Sequence, residues 1–113
     1  SYDFKIASPK WDGPQGPCHI DVKSTRGPYN RPFHMSASEV EFAARTSGYR
    51  IARISELTEA SASLRILTGV PELCKSIMQR LVIPEGVQVD SFSIDPSLLK
   101  EELRTTISWA EQD

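Results

Sequence analysis

Tyr2, Phe4 and Ile6 alternate with Asp3, Lys5 and Ala7 at the start of the chain, the two-residue period of a half-buried strand. The stretch "PKWDGPQGP" that follows is punctuated by proline and glycine and predicts a loop. Cys18, Ile20 and Val22 then alternate with His19, Asp21 and Lys23, a second strand that would pair with the first as an antiparallel hairpin with a long connection. Beyond the loop "RGPYNRP", Ser36 with Glu39 three residues on forms a capping box. Ala37, Val40, Ala43 and Ala44 make the apolar stripe of the helix it opens, and Gly48 is expected to stop it in a left-handed cap. "YRIARI" predicts a strand over 49–54, "LTEASAS" a polar loop and "LRIL" a short strand. Pro71 suits the first turn of a second helix, with Leu73, Cys74, Ile77, Met78 and Leu81 at helical spacing. "VQVDSFSI" predicts a strand. Asp95 and Pro96 then open a last helix whose stripe is Leu99, Leu103 and Ile107. The order β-β-α-β-β-α-β-α implies an α+β or mixed α/β fold, a mixed sheet flanked by helices.

The totals narrow the class. With 113 residues the chain suffices for one domain with a modest core. A net charge of -2 excludes a global basic field, so any nucleic-acid surface must be local. Cys18 and Cys74 lie far apart and form no CxxC, which implies buried, reduced thiols in a cytoplasmic protein rather than a zinc site. No apolar run is long enough to predict membrane insertion. Ser1 reads as a processing scar, and a chain that opens directly on strand-like alternation suggests a fragment of a larger multidomain protein.

Chemistry enters through "HIDVKST". Strand alternation puts Asp21 and Lys23 on one face, and a hairpin centred near residue 12 brings Asp3 opposite Asp21. Two carboxylates form a hard, oxygen-lined site suited to Mg²⁺. Lys23 can hold an attacking water or neutralise charge growing on a phosphate. The same spacing also describes an ordinary cross-strand charge pair on a solvated sheet face. Asp12, next to Gly13 and Pro14, is a rival for the first acid but has the look of a turn residue. Capping alone accounts for Glu39, with contact to the site the lesser reading. Between residues 22 and 38, Lys23, Arg26, Arg31 and His34 are interleaved with Tyr29 and Phe33. Such a loop suits phosphate contacts with Tyr29 as a stacking group, or is simply solvated. His19 and His34 lack metal-ligand spacing and read as surface or edge histidines, and Gln79 as a surface residue; Trp11 is either a core plug or an exposed contact.

"YDF", "HIDVKST", "RPFHMSASEVEFA" and "YRIARI", in that order, resemble the domain of unknown function 3883, the NO VEIN C-terminal domain family, over residues 2 to 67. That family is similar to PD-(D/E)xK nucleases. The resemblance implies a restriction-endonuclease-like core, with Asp3 as first acid, Asp21 and Lys23 as the acid and lysine of the second motif, Ser24 and Thr25 as the hydroxyls behind them, and Ser36 and Glu39 as the helix-start pair. Asp21 stands where glutamate is commoner, and Ala52 where an aromatic is usual. The N-terminal helix and first strand of such a core, which often bring another acid, are not in this sequence. A core without them would expose an apolar sheet face, to be covered by the C-terminal helices or by another segment or chain.

The resulting expectation is a Mg²⁺-dependent endonuclease-like domain that hydrolyses DNA in restriction or phage defence. Asp3 and Asp21 would hold the metal, and Lys23 would assist the chemistry. Arg26, Tyr29, Arg31 and His34 would contact nucleic acid. Expected partners are DNA, other domains or a chain of the parent protein, and a second copy in a homodimer. The alternative is a non-catalytic nucleic-acid-binding or protein-interaction module of the same fold.

Overall fold

The structure, a computed structural model, describes residues 2–109; Ser1 lies outside the described residues. Five strands form one mixed sheet: β1 (Tyr2–Ile6), β2 (Cys18–Ser24), β4 (Tyr49–Ser55), β5 (Ser61–Thr68) and β7 (Lys100–Ser108), in the order β1-β2-β4-β5-β7. All neighbours are antiparallel except β2 and β4. A parallel pair needs a crossover, and the chain supplies one through β3 (Phe33–Ser36) and helix α1 (Ala37–Ala44). Helix α2 (Val70–Arg80) follows β5. The short strand β6 (Ser91–Ile94) pairs with β3 as a separate two-stranded sheet.

The two faces of the large sheet differ. Val40, Ala43 and Ala44 of α1 and Val70 and Cys74 of α2 pack with Tyr49, Ile51 and Leu67 on one face, joined by Phe33, Met35 and Ile94 of the small sheet. The opposite face holds a smaller cluster of Cys18, Ile20, Ala52 and Ile66, against which Ile6, Trp11 and Leu103 pack. Trp11 plugs that cluster, and its indole Nε1 donates to Glu102 at 2.6 Å, which ties the proline-rich loop to β7. Both cysteines are buried and free.

Several sequence expectations need correction. The last helix is only a 3₁₀ turn over Pro96–Leu98, where the Asp95 carboxylate accepts from Ser97 N, and the chain then runs as β7. Residues four apart share a face in a strand as well as in a helix, so Leu103 and Ile107 fit either period. The β-branched run Thr105-Thr106-Ile107 favours the strand. One predicted role moves with it. The cover expected from a C-terminal helix falls instead, on this face, to the Trp11 loop, and a register break between Ile66 and Leu67 places Glu102 beside Leu103 on the Trp11 side. Helix α1 ends at Ala44, before Gly48. Gly48 does adopt a left-handed φ of 84°, but in the turn into β4, where a Cβ would lie 2.6 Å from the Pro17 carbonyl oxygen. The "LRIL" strand begins earlier, at Ser61, and the strand predicted within 87–94 is confined to Ser91–Ile94.

Candidate active site

The hairpin register is the one the alternation requires: Asp3 faces Asp21 across β1 and β2. The parallel pairing of β2 with β4 then sets Tyr49 beside His19 and Ile51 beside Asp21. Helix α1 lies over this face, so Asp21 and Lys23 are not on a solvated surface, whereas Asp3 on the edge strand is exposed. Asp21 is 0% exposed and Lys23 7%.

Burial dictates the partners. The Tyr49 hydroxyl donates to Asp21 Oδ2 at 2.8 Å, and the Lys23 ammonium lies 3.3 Å from the same oxygen. Asp21 Oδ1, equally buried, has no hydrogen-bond partner among the described residues. Lys23 also donates to both oxygens of Glu39, at 3.4 and 3.2 Å. Glu39 meanwhile closes the capping box: its Oε1 accepts from Ser36 N at 2.8 Å, and its own amide donates to Ser36 Oγ at 3.0 Å. Capping and site contact are therefore the same geometry. Asp3 Oδ2 is 3.2 Å from His19 Nε2. One oxygen from each of Asp3, Asp21 and Glu39 falls within 4.8 Å of the others. Donors so close can share a single cation, and all-carboxylate donors suit a hard one such as Mg²⁺.

Desolvation dominates the electrostatics. Burial raises the Asp21 carboxyl to about 6, with the charges of Asp3 and Glu39 adding to the rise and Tyr49 and Lys23 opposing it. Burial and the neighbouring Asp21 push the Tyr49 phenol well above its usual range, so it stays a proton donor. Three carboxylates against one ammonium leave two negative charges, the charge a divalent cation neutralises.

Beside the cluster runs an open groove of about 510 Å³, lined by Lys23, Ser24, Thr25, Arg31, His34 and Glu39 among others. Of the predicted nucleic-acid contacts, Arg31 and His34 line it. Arg26 is exposed on the same loop but outside the lining. One face of Tyr29 is covered by Arg65, whose guanidinium carbon lies 3.6 Å from the ring centroid. Thr25 Oγ1 accepts from Gly27 N at 3.1 Å and shapes the turn, whereas Ser24 is exposed at the groove. Asp12 is exposed in the proline-rich loop and takes no part in the cluster.

Three residues of the site escape the sequence reading. Tyr49 orients Asp21. His19 stacks on Tyr49, with centroids 4.8 Å apart and planes 16° from parallel, and contacts Asp3. Arg53, 1% exposed, donates to the backbone carbonyls of Lys23, Tyr29 and Arg31 and fixes the loop that walls the groove. For Tyr49 and Arg53 the available signal was shared parity on "YRIARI", where Tyr49, Ile51 and Arg53 fall on one strand face and a buried arginine needs acceptors; for His19 it was parity with Asp21 on β2.

The fold and the site define an α+β domain that gathers three carboxylates and a lysine where a β-hairpin meets a capped helix. The chain belongs to the family described as Protein NO VEIN, C-terminal, which matches residues 1–67 and so includes the whole cluster. No match was found among curated proteins or among solved structures.

Proposed function

We propose that this domain is a Mg²⁺-dependent nuclease that hydrolyses phosphodiester bonds of DNA, with restriction or phage defence as the setting its family resemblance suggests. The observation that carries the reading is Asp21. Its carboxylate is fully buried at a cost to the fold, two further carboxylates stand within 4.8 Å, and one of its oxygens is left without a partner. Buried polar atoms in folded proteins are normally satisfied, and an exception calls for an ion or a functional role. Asp3, Asp21 and Glu39 would hold the cation. When bound, the metal supplies Lewis-acid polarisation of a phosphoryl oxygen and a more acidic water. Tyr49 keeps Asp21 oriented by donating to Oδ2. Lys23, between Asp21 and Glu39, places a positive charge where charge grows on the phosphate. Arg31 and His34 on the groove wall would bind backbone phosphates.

A second reading has its own support. Lys23 already contacts two carboxylates and Glu39 already caps α1, so the charges serve the fold without chemistry. A nicking assay with Mg²⁺ on a plasmid and on a single-stranded DNA circle separates the two. Wild-type cleavage that falls at least a hundredfold in both Asp21→Asn and Lys23→Ala supports the nuclease; cleavage unchanged in both variants, or absent from the wild type, leaves a non-catalytic binding module.

A further inference from the structure

The carboxylate cluster has two flanks of opposite character. On one side is the groove with Lys23, Arg31, His34 and Arg53. On the other is a separate open cavity of about 310 Å³, lined by Asp3, His19, Ser38, Glu39, Phe42 and Tyr49. Glu39 borders both. Among the described residues the lining of the second cavity holds no lysine or arginine, and two carboxylates stand at its rim, so it disfavours a phosphate. Its walls are aromatic. Phe42 lies one helical turn beyond Glu39 on α1, off the stripe of Val40, Ala43 and Ala44 that faces the core, and is 43% exposed. Its ring is nonetheless held in place. It meets the His19 ring at 5.0 Å and 62°, and the Tyr49 ring at 6.0 Å and 69°. Edge-to-face packing against two anchored rings gives Phe42 a fixed orientation although it stands at the surface.

We propose that this cavity is a nucleobase subsite, so that the strand acted on carries an unpaired base beside the phosphate at the carboxylate cluster. The proposal rests on the nuclease reading for the placement of the phosphate. A neutral, flat π-system fits where a phosphate is disfavoured, and stacking on an aromatic side chain is how proteins hold unpaired bases irrespective of sequence. Ser38 at the rim offers a hydroxyl to a base edge. A base inside a duplex has both faces stacked and its edge paired. The occupant is therefore a base of a single strand, or one turned out of a helix. With the base on one flank, the backbone crosses the cluster towards Lys23 and Arg31, where phosphates are attracted.

The test compares a short single-stranded DNA carrying 2-aminopurine with its duplex, using the full chain in Ca²⁺ so that binding is read without turnover. Phe42→Ala and Phe42→Trp are measured in parallel, with circular dichroism confirming that each folds. The expected result is that wild type binds the single strand at least tenfold more tightly than the duplex and quenches 2-aminopurine. Phe42→Ala should weaken single-strand binding about tenfold and abolish the quench, and Phe42→Trp should restore both. Equal affinity for the two DNAs, no binding of either, or single-strand binding untouched by Phe42→Ala overturns the subsite. Nicking by wild type alongside a silent Phe42→Ala would remove the subsite and leave the nuclease standing. Phe42-dependent binding without Mg²⁺-dependent nicking would do the reverse.

Discussion

Replacing Asp21 by asparagine should stabilise the metal-free protein while removing its function. The Asp21 carboxyl is held at about 6, against an ordinary 3.8, because burial and the charges of Asp3 and Glu39 outweigh the help of Tyr49 and Lys23. A carboxyl with a raised value keeps its proton in the folded state after the unfolded chain has lost it. Between pH about 4 and 6 the folded state binds more protons, and stability falls as pH rises. Above that window the loss is complete and amounts to roughly 3 kcal/mol. Asparagine resembles the protonated acid in size and charge, and the Tyr49 hydroxyl can still donate to it. Asp21→Asn should therefore match wild type at pH 4 and exceed it at pH 8 by about 1 to 3 kcal/mol, the lower figure allowing for imperfect placement of the new amide. Urea unfolding at both pH values in the presence of a chelator measures the difference. A variant less stable than wild type at pH 8, or a difference independent of pH, would refute the claim that Asp21 is an ionised group held against the preference of the fold.

Three further outcomes follow from the same geometry. Mg²⁺ at a hundred times its Kd should stabilise wild type by about 2.7 kcal/mol and leave Asp21→Asn unmoved, and its affinity should rise with pH through about 6 as the proton on Asp21 ceases to compete; thermal scans with and without Mg²⁺ at pH 5 and 8 check this. Arg53→Ala leaves three backbone carbonyls without their donor and should cost about 3 kcal/mol or more, with limited proteolysis moving first to the loop at 25–32. Glu102→Ala removes the two-pronged acceptor of Arg50, at 2.8 and 3.0 Å, and the partner of Trp11, so it should cost about 2 to 3 kcal/mol and shift Trp11 fluorescence to the red.

Much of this fold was legible because its elements announce themselves locally. The Ser36–Glu39 box starts α1, Pro71 opens α2 near its N-terminus, and strict alternation marks β1 and β2. The register of the hairpin followed as well, since two strands whose polar faces must coincide allow few alignments. What failed was decided by tertiary contact. Leu103 and Ile107 are as well spaced for a helix as for a strand, and pairing with β5 settles the matter; nothing in "KEELRTTIS" alone records that partner. Pairing of β3 with β6 joins residues almost sixty positions apart through a four-residue ladder, too short for alternation to register.

The site shows the same division, with one instructive exception. Asp3, Asp21 and Lys23 were readable because strand parity alone places them. Glu39 was readable too, chiefly as a cap, with contact to the site the lesser reading. A third acid was expected from an N-terminal element absent from this sequence, yet the structure places a third carboxylate in the cluster from the start of α1. The capping box makes this placement dependable. To accept from Ser36 N, the Glu39 side chain must turn back over the helix start, and the start of α1 lies beside β2 where Lys23 emerges. A side chain bound at both ends loses little further entropy when it meets a third group. The cap therefore preorganises the carboxylate through the Ser36 amide, which Ser36→Ala retains: that variant loses only the hydroxyl accepting from Glu39 N, so it should cost about 1 kcal/mol of stability by loosening the first turn of α1 and lower Mg²⁺ affinity only a few-fold, which titration calorimetry checks.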